Sequence, residues 1–401
     1  MRDINQRGIY TDLMRKFRNK GHQVYVVSPC ERRDNQPTQV IESDGIHILC
    51  VWTLNVKKTN VIEKGLGQVS LKFLYNRAIR KYFRDIKFDL ILYTTPPITI
   101  TNVIETIKRR NPQAIRYLLL KDIFPQNAVD LGMLSKSGLK GFLYKSFRKK
   151  EKKLYALSDY IGCMSPANVK YVLEHNPEID PMKVEVAPNS VELVTTNNKK
   201  HSIDKTLFKK YNLPTDKPIF IYGGNLGKPQ GIPFIIECLN ANSQRNDCHF
   251  LIVGDGFEYP RIKAWHHERQ PKNVTVMHCL PKEDYDLLLQ ACQVGLIFLD
   301  YRFTIPNFPS RLLSYLECKM PVIISTDPNS DMGTIAQANG FGNWCQSNDV
   351  NAFTQCLDNI LTSDIRLMGE NGYQFLCKNF LVDNTYSVIM KHCQSYNKSA
   401  F

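Results

Sequence analysis

The sequence has no cysteine pair at C-x-x-C spacing and no uninterrupted apolar run near the ~18 residues a membrane span needs. Its twelve cysteines stand singly, several inside apolar runs such as Cys248-His249-Phe250-Leu251-Ile252-Val253. They read as buried thiols packing as small hydrophobes, against a disulfide or zinc framework. His266-His267-Glu268 is not expected to hold a metal, because adjacent residues on a helix point to different faces. The opening residues, Met1 to Arg7, are too polar for a signal peptide, so the expected compartment is the cytosol. Neither a Walker loop nor a GxGxxG fingerprint occurs. No repeat of fixed period and no low-complexity tract appears.

What is present is a basic chain with ample apolar material. Its 401 residues suggest two to three domains at roughly 150 residues each, and 43% are hydrophobic. Fifty-two Lys+Arg against thirty-eight Asp+Glu give a net charge of +14. Short apolar runs at Val24–Val27, Leu90–Tyr93, Tyr117–Leu120 and Tyr160–Cys163 read as buried parallel strands. Helices are expected between them at Tyr10–Asn19, Leu71–Phe83, Ile98–Arg109 and Leu139–Leu157. A polar stretch, Thr195 to Lys205 with Thr196-Asn197-Asn198-Lys199-Lys200 inside it, reads as a domain boundary. A second strand series follows at Ile219–Tyr222, Phe250–Val253, Val274–Met277, Gly295–Phe298 and Val322–Ser325. The expected architecture is α/β, two doubly wound domains that bind ligands at the carboxyl ends of their strands. Expected limits are 1–190, 191–380, and a C-terminal helix in 381–401 crossing back to the first domain.

Tyr222-Gly223-Gly224-Asn225-Leu226-Gly227-Lys228-Pro229-Gln230-Gly231 follows a strand and precedes a helix. Glycines there let backbone approach a ligand closely, and N–H groups with a lysine attract phosphate; an ordinary tight turn uses glycine too. Val253-Gly254-Asp255-Gly256 is a second glycine turn at a strand end. At Pro309-Ser310-Arg311 a helix entry is expected, with Ser310 as cap and Arg311 one step inside, either a diphosphate anchor or a plain cap with a surface arginine. Lys121-Asp122 and Thr94-Thr95-Pro96-Pro97 end strands of the first domain, as cleft groups or as turn residues. The helix 139–156 carries Lys140, Lys145, Arg148, Lys149, Lys150, Lys152 and Lys153 around Leu139, Phe142, Leu143, Phe147 and Leu154. It reads as a solvated face or as a patch for an anionic membrane surface; no nucleic-acid module occurs, so nucleic acid is not expected.

Taken in order, these motifs resemble the retaining glycosyltransferases of family 4, with the GT-B fold. The nearer likeness is to the branch, including L-fucosamine transferases, that builds bacterial capsule and O-antigen units. The resemblance is carried by Arg7-Gly8-Ile9-Tyr10-Thr11-Asp12-Leu13, Gly21-His22-Gln23-Val24, Thr94 to Ile98, Lys121-Asp122-Ile123-Phe124-Pro125, Pro188-Asn189, Gly223 to Gly231, Gly254-Asp255-Gly256 and Pro309-Ser310-Arg311. It implies two facing Rossmann-like domains, the second holding a nucleotide-diphosphate sugar, expected to be UDP-linked, and the first the acceptor. Gly224, Asn225, Gly227, Lys228, Gly254 and Gly256 would lie at the donor, with Ser310, Arg311 and Leu312 adding backbone N–H groups. Cys279 and Leu280 would meet the base. Lys121 and Asp122 would stand at the reacting sugar, with Gly8 and Thr95 on the acceptor side. The acceptor implied is a lipid-diphosphate-linked saccharide, the protein lying against the inner face of the plasma membrane. Fixed positive charge would stabilise the leaving diphosphate, so no metal or other cofactor is expected.

Three departures from that pattern stand out. Asn225 and Gln230 replace an Arg and a Lys of many relatives, leaving Lys228 as the loop's cation. Paired glutamates eight residues apart are replaced by Pro306 and Ser314, with Glu317 out of register. Relatives begin with a hydrophobic strand ahead of the first helix; this chain starts at the loop after it, a loss expected to cost several kcal/mol, on the order of a domain's whole stability. The 401-residue form is therefore expected to be poorly soluble or inactive beside an extended one. Two other readings compete: a UDP-sugar 2-epimerase of the same fold, which needs carboxylates and a histidine in the cleft, and a basic non-catalytic binding protein.

Overall fold

The computed structural model describes residues 3–55, 61–193 and 205–398, so the stretch 196–200 lies outside them. The chain divides into two compact units. One is Met1–Val129, Leu134–Glu192 and Phe380–Phe401; the other is Asp130–Met133 and Leu193–Asn379.

The first unit contains β1 (Val24–Glu31), β2 (Gln39–Ser43), β3 (Ile46–Thr53), β4 (Leu90–Thr94), β5 (Ile115–Leu120), β6 (Tyr160–Cys163) and β7 (Val184–Val186). These strands form two sheets, β1-β3-β2 and β4-β5-β6-β7. β2 and β3 make an antiparallel hairpin whose turn residues Asp44 and Gly45 both have positive φ, 50° and 71°, as a tight two-residue hairpin requires. The other pairings in this unit are parallel. Among the described residues β1 pairs only with β3 and β4 only with β5, so each is an edge of its own sheet. Pro29, which has no N–H to donate, fits that edge position in β1. One apolar cluster nevertheless joins the sheets: Leu13 and Phe17 of the helix Ile9–Asn19 pack with Val24, Ile48, Tyr117, Leu119 and Ile389. The C-terminal helix Val382–Lys398 supplies Ile389 and further ties. Tyr386 meets His22 at 2.9 Å and Phe17 edge-on at 5.0 Å. His392 stacks on Tyr160 at 3.5 Å and reaches Glu185 at 2.8 Å.

The second unit holds one parallel sheet of β8 (Ile219–Asn225), β9 (His249–Asp255), β10 (Val274–Met277), β11 (Val294–Phe298), β12 (Val322–Thr326) and β13 (Gly342–Gln346). Its order is β10-β9-β8-β11-β12-β13. The central strands are largely apolar because helices cover both faces; Phe220, Phe250, Leu296 and Ile323 are fully buried, each worth about 1.5–3 kcal/mol of hydrophobic stabilisation. Strand order reverses between β8 and β11, the place where such sheets bind ligands. There the ladder is short: β11 pairs with β8 only at Val294–Phe220 and Gly295–Ile221. β8 meanwhile stays paired with β9 from Ile219–His249 through Asn225–Asp255. Tyr315 fills the split. Its hydroxyl accepts the Gly223 N–H and lies 3.2 Å from both Ile221 O and Leu296 O. A Cβ at Gly295 would stand 2.4 Å from the Tyr315 ring, so only glycine admits it there.

Both expected parallel systems are present. The hairpin β2–β3, the short β7 and the edge strand β13 are additions to the strands expected from the sequence.

Candidate active site

The glycine turn begins as strand and ends as helix. Gly224 continues β8 at φ 130°, beyond what a residue with a Cβ adopts easily. Leu226 then drops into the core, its N–H bonded to Asp255 O at 2.9 Å. Asn225 and Gln230 close the loop on itself: Gln230 Oε1 accepts from Asn225 Nδ2 at 2.9 Å and from the Gly227 N–H at 3.1 Å. Tyr222 donates to Asn225 O at 2.5 Å. Gly231, at φ 61°, turns the chain into the helix Ile232–Ala241. These two neutral amides therefore brace the loop. Lys228 is exposed, with no ion pair among the described residues.

Gly254 and Gly256 have a packing role. A Cβ on Gly254 would lie 1.9 Å from Gly224 O, and one on Gly256 2.4 Å from Leu226 O. The first glycine turn thus rests directly on the second. Tyr285 covers Gly223 in the same way, since a Cβ there would meet its hydroxyl at 1.8 Å. Burial pushes the Tyr285 phenol up to about 12. Cys279 is exposed and Leu280 half-buried in the turn after β10, where His278 stands 3.4 Å from Asp255.

At the helix Arg311–Glu317 the expected cap is not made: Ser310 has helical φ and ψ and no side-chain bond to the turn. Nor is the Leu312 N–H open, because it bonds Pro309 O at 3.3 Å. The backbone cradle expected there is reduced, and the arginine side chain takes its place. The Arg311 guanidinium lies 4.4 Å from the Tyr222 ring centre, a cation–π geometry. Its Nη2 stands 3.3 Å from where a Gly224 Cβ would be. Its Nη1 is buried without a hydrogen-bond partner, and no carboxylate pairs with it among the described residues. A planar cation held by aromatic rings beside a bent glycine backbone is a ready receptor for phosphate oxygens.

The first unit's candidates gather at the end of β5. Thr95, fully buried, accepts the N–H groups of Lys121 and Asp122 at 3.2 and 3.3 Å and donates to Asp122 O at 3.0 Å. Its hydroxyl is consumed in shaping that turn, which removes it from the acceptor surface. Lys121 Nζ donates to Ala187 O at 3.2 Å, and burial pulls its pKa down to about 7. It lines a cavity of about 10 Å³ with Tyr10, Leu13, Asn189 and Thr385. Burial raises Asp122 to about 6, opposed by the bond from Asn127 at 2.7 Å. Gly8 is exposed, and its N–H donates to Asp12 Oδ1 at 3.0 Å. Among the described residues no group of His, Cys, Asp or Glu side chains is arranged to hold a metal.

Residues 203–375 match the family model "Glycosyl transferases group 1". Over 387 residues the chain is 21% identical to a probable glycosyltransferase, WbjE, of Pseudomonas aeruginosa, covering 94% of this chain and 91% of that one. The chain is a GT-B glycosyltransferase. Sucrose-phosphate synthase from Thermosynechococcus elongatus has the same fold, at TM-score 0.75 and 16% identity over 97% of this chain and 93% of that one. So does Anabaena HepE in complex with UDP-glucose, at TM-score 0.61 and 14% identity over 88% and 86%.

The glycosyltransferase also exposes apolar side chains on its basic helix Gly138–Leu157. Leu139, Phe142 and Leu143 are 94%, 76% and 49% exposed. Lys140, Lys145 and Lys149 make no ion pair among the described residues, whereas Arg148, Lys152 and Lys153 pair with Glu151, Glu178 and Glu105. No described helix is long and apolar enough to cross a membrane. Sequence reasoning passed over three tyrosines of this glycosyltransferase: Tyr222, Tyr285 and Tyr315 all border Arg311 or the glycine turn. Their signal was faint: Tyr222 and Tyr315 sit among apolar residues and read as core, and Tyr285, between Asp284 and Asp286, reads as a surface helix position.

Proposed function

We propose that the glycosyltransferase takes a nucleotide-diphosphate sugar, UDP-linked, and transfers the sugar with retention of configuration to a lipid-linked saccharide in surface-polysaccharide synthesis. The observation that carries this is the Arg311 guanidinium, unneutralised and set against the bent backbone at Gly224. Negative charge grows on the diphosphate as its bond to the sugar breaks. Arg311 and Lys228 are preorganised positive charges for that moment, so on this reading no metal is needed. The acceptor hydroxyl then attacks the face the diphosphate leaves, and its proton passes to a departing phosphate oxygen. Lys121 and Asp122 are the polar groups we assign to the reacting sugar, and the turn at Cys279 and Leu280 to the base. The resemblance to capsule and O-antigen transferases supports the polysaccharide role. The exposed Leu139, Phe142 and Leu143 among unpaired lysines support attachment to an anionic membrane surface, at about 1 kcal/mol per lysine.

The test is a thermal-shift titration with UDP and GDP in the presence of EDTA, followed by donor turnover with and without a polyprenyl-diphosphate sugar. UDP stabilisation and acceptor-dependent turnover with a retained anomer are expected. Absence of both, or acceptor-free epimerisation of the donor, would overturn the proposal. In the same titration Lys228→Ala should weaken UDP binding by about 1–3 kcal/mol.

A further inference from the structure

A second concavity lies in the first unit, between the helices Gly138–Leu157 and Pro166–His175. It is a shallow cup, open to solvent, with an enclosed volume of about 50 Å³. Its walls are aromatic. Tyr171 and His175 stack at 3.9 Å with planes 16° apart, and Tyr144 lies across from them under Lys136, whose Nζ is 5.7 Å from the ring centre.

The floor is polar and already braced. Arg148 donates to Glu151 Oε2 at 2.6 Å, to His175 O at 2.8 Å and to Asn176 Oδ1 at 2.6 Å. Tyr155 donates to Glu151 Oε1 at 2.7 Å. Glu151 is buried, and burial raises its pKa against the pull of Arg148. These bonds fix the floor before any ligand arrives, while the carboxylate oxygens keep lone pairs to spare.

The chemistry selects a ligand class. A phosphate is disfavoured, because the floor presents a carboxylate whose charge is balanced by Arg148, leaving no net attraction at depth. A purely apolar ligand would strand the polar floor. A pyranose satisfies both surfaces: its C–H faces lie on aromatic rings and its hydroxyls exchange hydrogen bonds with planar polar side chains. We infer that this cup binds one sugar unit of the acceptor saccharide. Its role as an acceptor site rests on the transferase reading above; the sugar binding itself does not.

The probe is a set of methyl glycosides of glucose, galactose and N-acetylglucosamine, offered to the full chain in saturation-transfer NMR. Transfer to at least one is expected. Tyr171→Ala and Tyr144→Ala, each checked for an unchanged melt, should weaken it by roughly threefold to tenfold, and Tyr144→Phe, which keeps the ring, should restore it. No transfer to any glycoside, or transfer untouched by both alanine variants, overturns the inference. A wild-type chain that binds a glycoside but is not stabilised by UDP would instead overturn the proposed function and leave the cup in place.

Discussion

Arg311→Met exchanges the guanidinium for an uncharged chain of similar reach, and the structure assigns opposite effects to the free and bound protein. In the free protein two contributions change. The cation–π contact with Tyr222 disappears, a loss of about 0.5–2 kcal/mol. The stranded Nη1 also disappears, which relieves a desolvation cost of about 1–3 kcal/mol. Net stability should stay within about 1–2 kcal/mol of wild type. An arginine that neutralised a buried acid would behave otherwise, costing about 3–5 kcal/mol on removal. In the bound protein the variant lacks charge-assisted hydrogen bonds to phosphate, about 1.5–3 kcal/mol, or roughly 10- to 150-fold in UDP affinity. Melting with UDP separates the two. At a UDP concentration about 100 times the wild-type Kd the wild type gains about 2.7 kcal/mol, and a variant binding 100-fold more weakly gains only about 0.4. Unchanged UDP stabilisation would refute the reasoning. So would a variant that falls by more than about 3 kcal/mol without ligand while keeping its UDP response.

Three further outcomes are expected. Gly254→Ala drives a Cβ into Gly224 O, so the first turn must move; UDP stabilisation should vanish with about 1–3 kcal/mol lost in urea denaturation, and a normal UDP response would contradict the packing described. Lys121 has its folded pKa held near 7, below the unfolded value, so below about 7 both states are protonated and the penalty is complete. Between there and the usual lysine range the unfolded chain carries the extra proton and stability climbs with pH; Lys121→Met should therefore raise the melting temperature most near pH ~6 and less near pH ~9, and an equal shift at both would exclude it. His392→Ala removes the 2.8 Å bond to Glu185 and the stack on Tyr160, and should lower stability by about 2–3 kcal/mol in urea; a change within a few tenths would mean the C-terminal helix is held elsewhere.

Much of the fold was legible because buried parallel strands write themselves as apolar runs. Tyr160–Cys163 and Val274–Met277 match their strands residue for residue. The hairpin was readable too: Asp44-Gly45 between Gln39–Ser43 and Ile46–Thr53 is a strong turn signal, hidden by the search for strand–helix alternation. β7 spans three residues and β13 is half polar, so neither stands out by composition. At the site, the glycine turn and Arg311 could each be picked out locally. Their meeting could not, for residues 224 and 311 are joined only by the way β8 and the Arg311–Glu317 helix pack. The same holds for Asn225 and Gln230: as a sequence they are missing cations, and only the folded loop makes them a brace. Thr95 differs from both, since a hydroxyl at a strand end looks available until its three bonds are drawn.

The split between β8 and β11 carries a mechanical consequence. Beyond Ile221 the start of the glycine turn stays paired with β9 as far as Asn225, while the Arg311 helix belongs with β11 on the far prong of the fork. One phenol oxygen, on Tyr315, bridges the prongs at their crotch. A diphosphate seated against Gly224 and Arg311 would span them at the tips, where leverage is greatest. Cargo would then act as a rivet at the tips, adding to the ties that the Tyr315 hydroxyl and the Asp300 N–H, bonded to Pro229 O at 2.9 Å, already make across the fork.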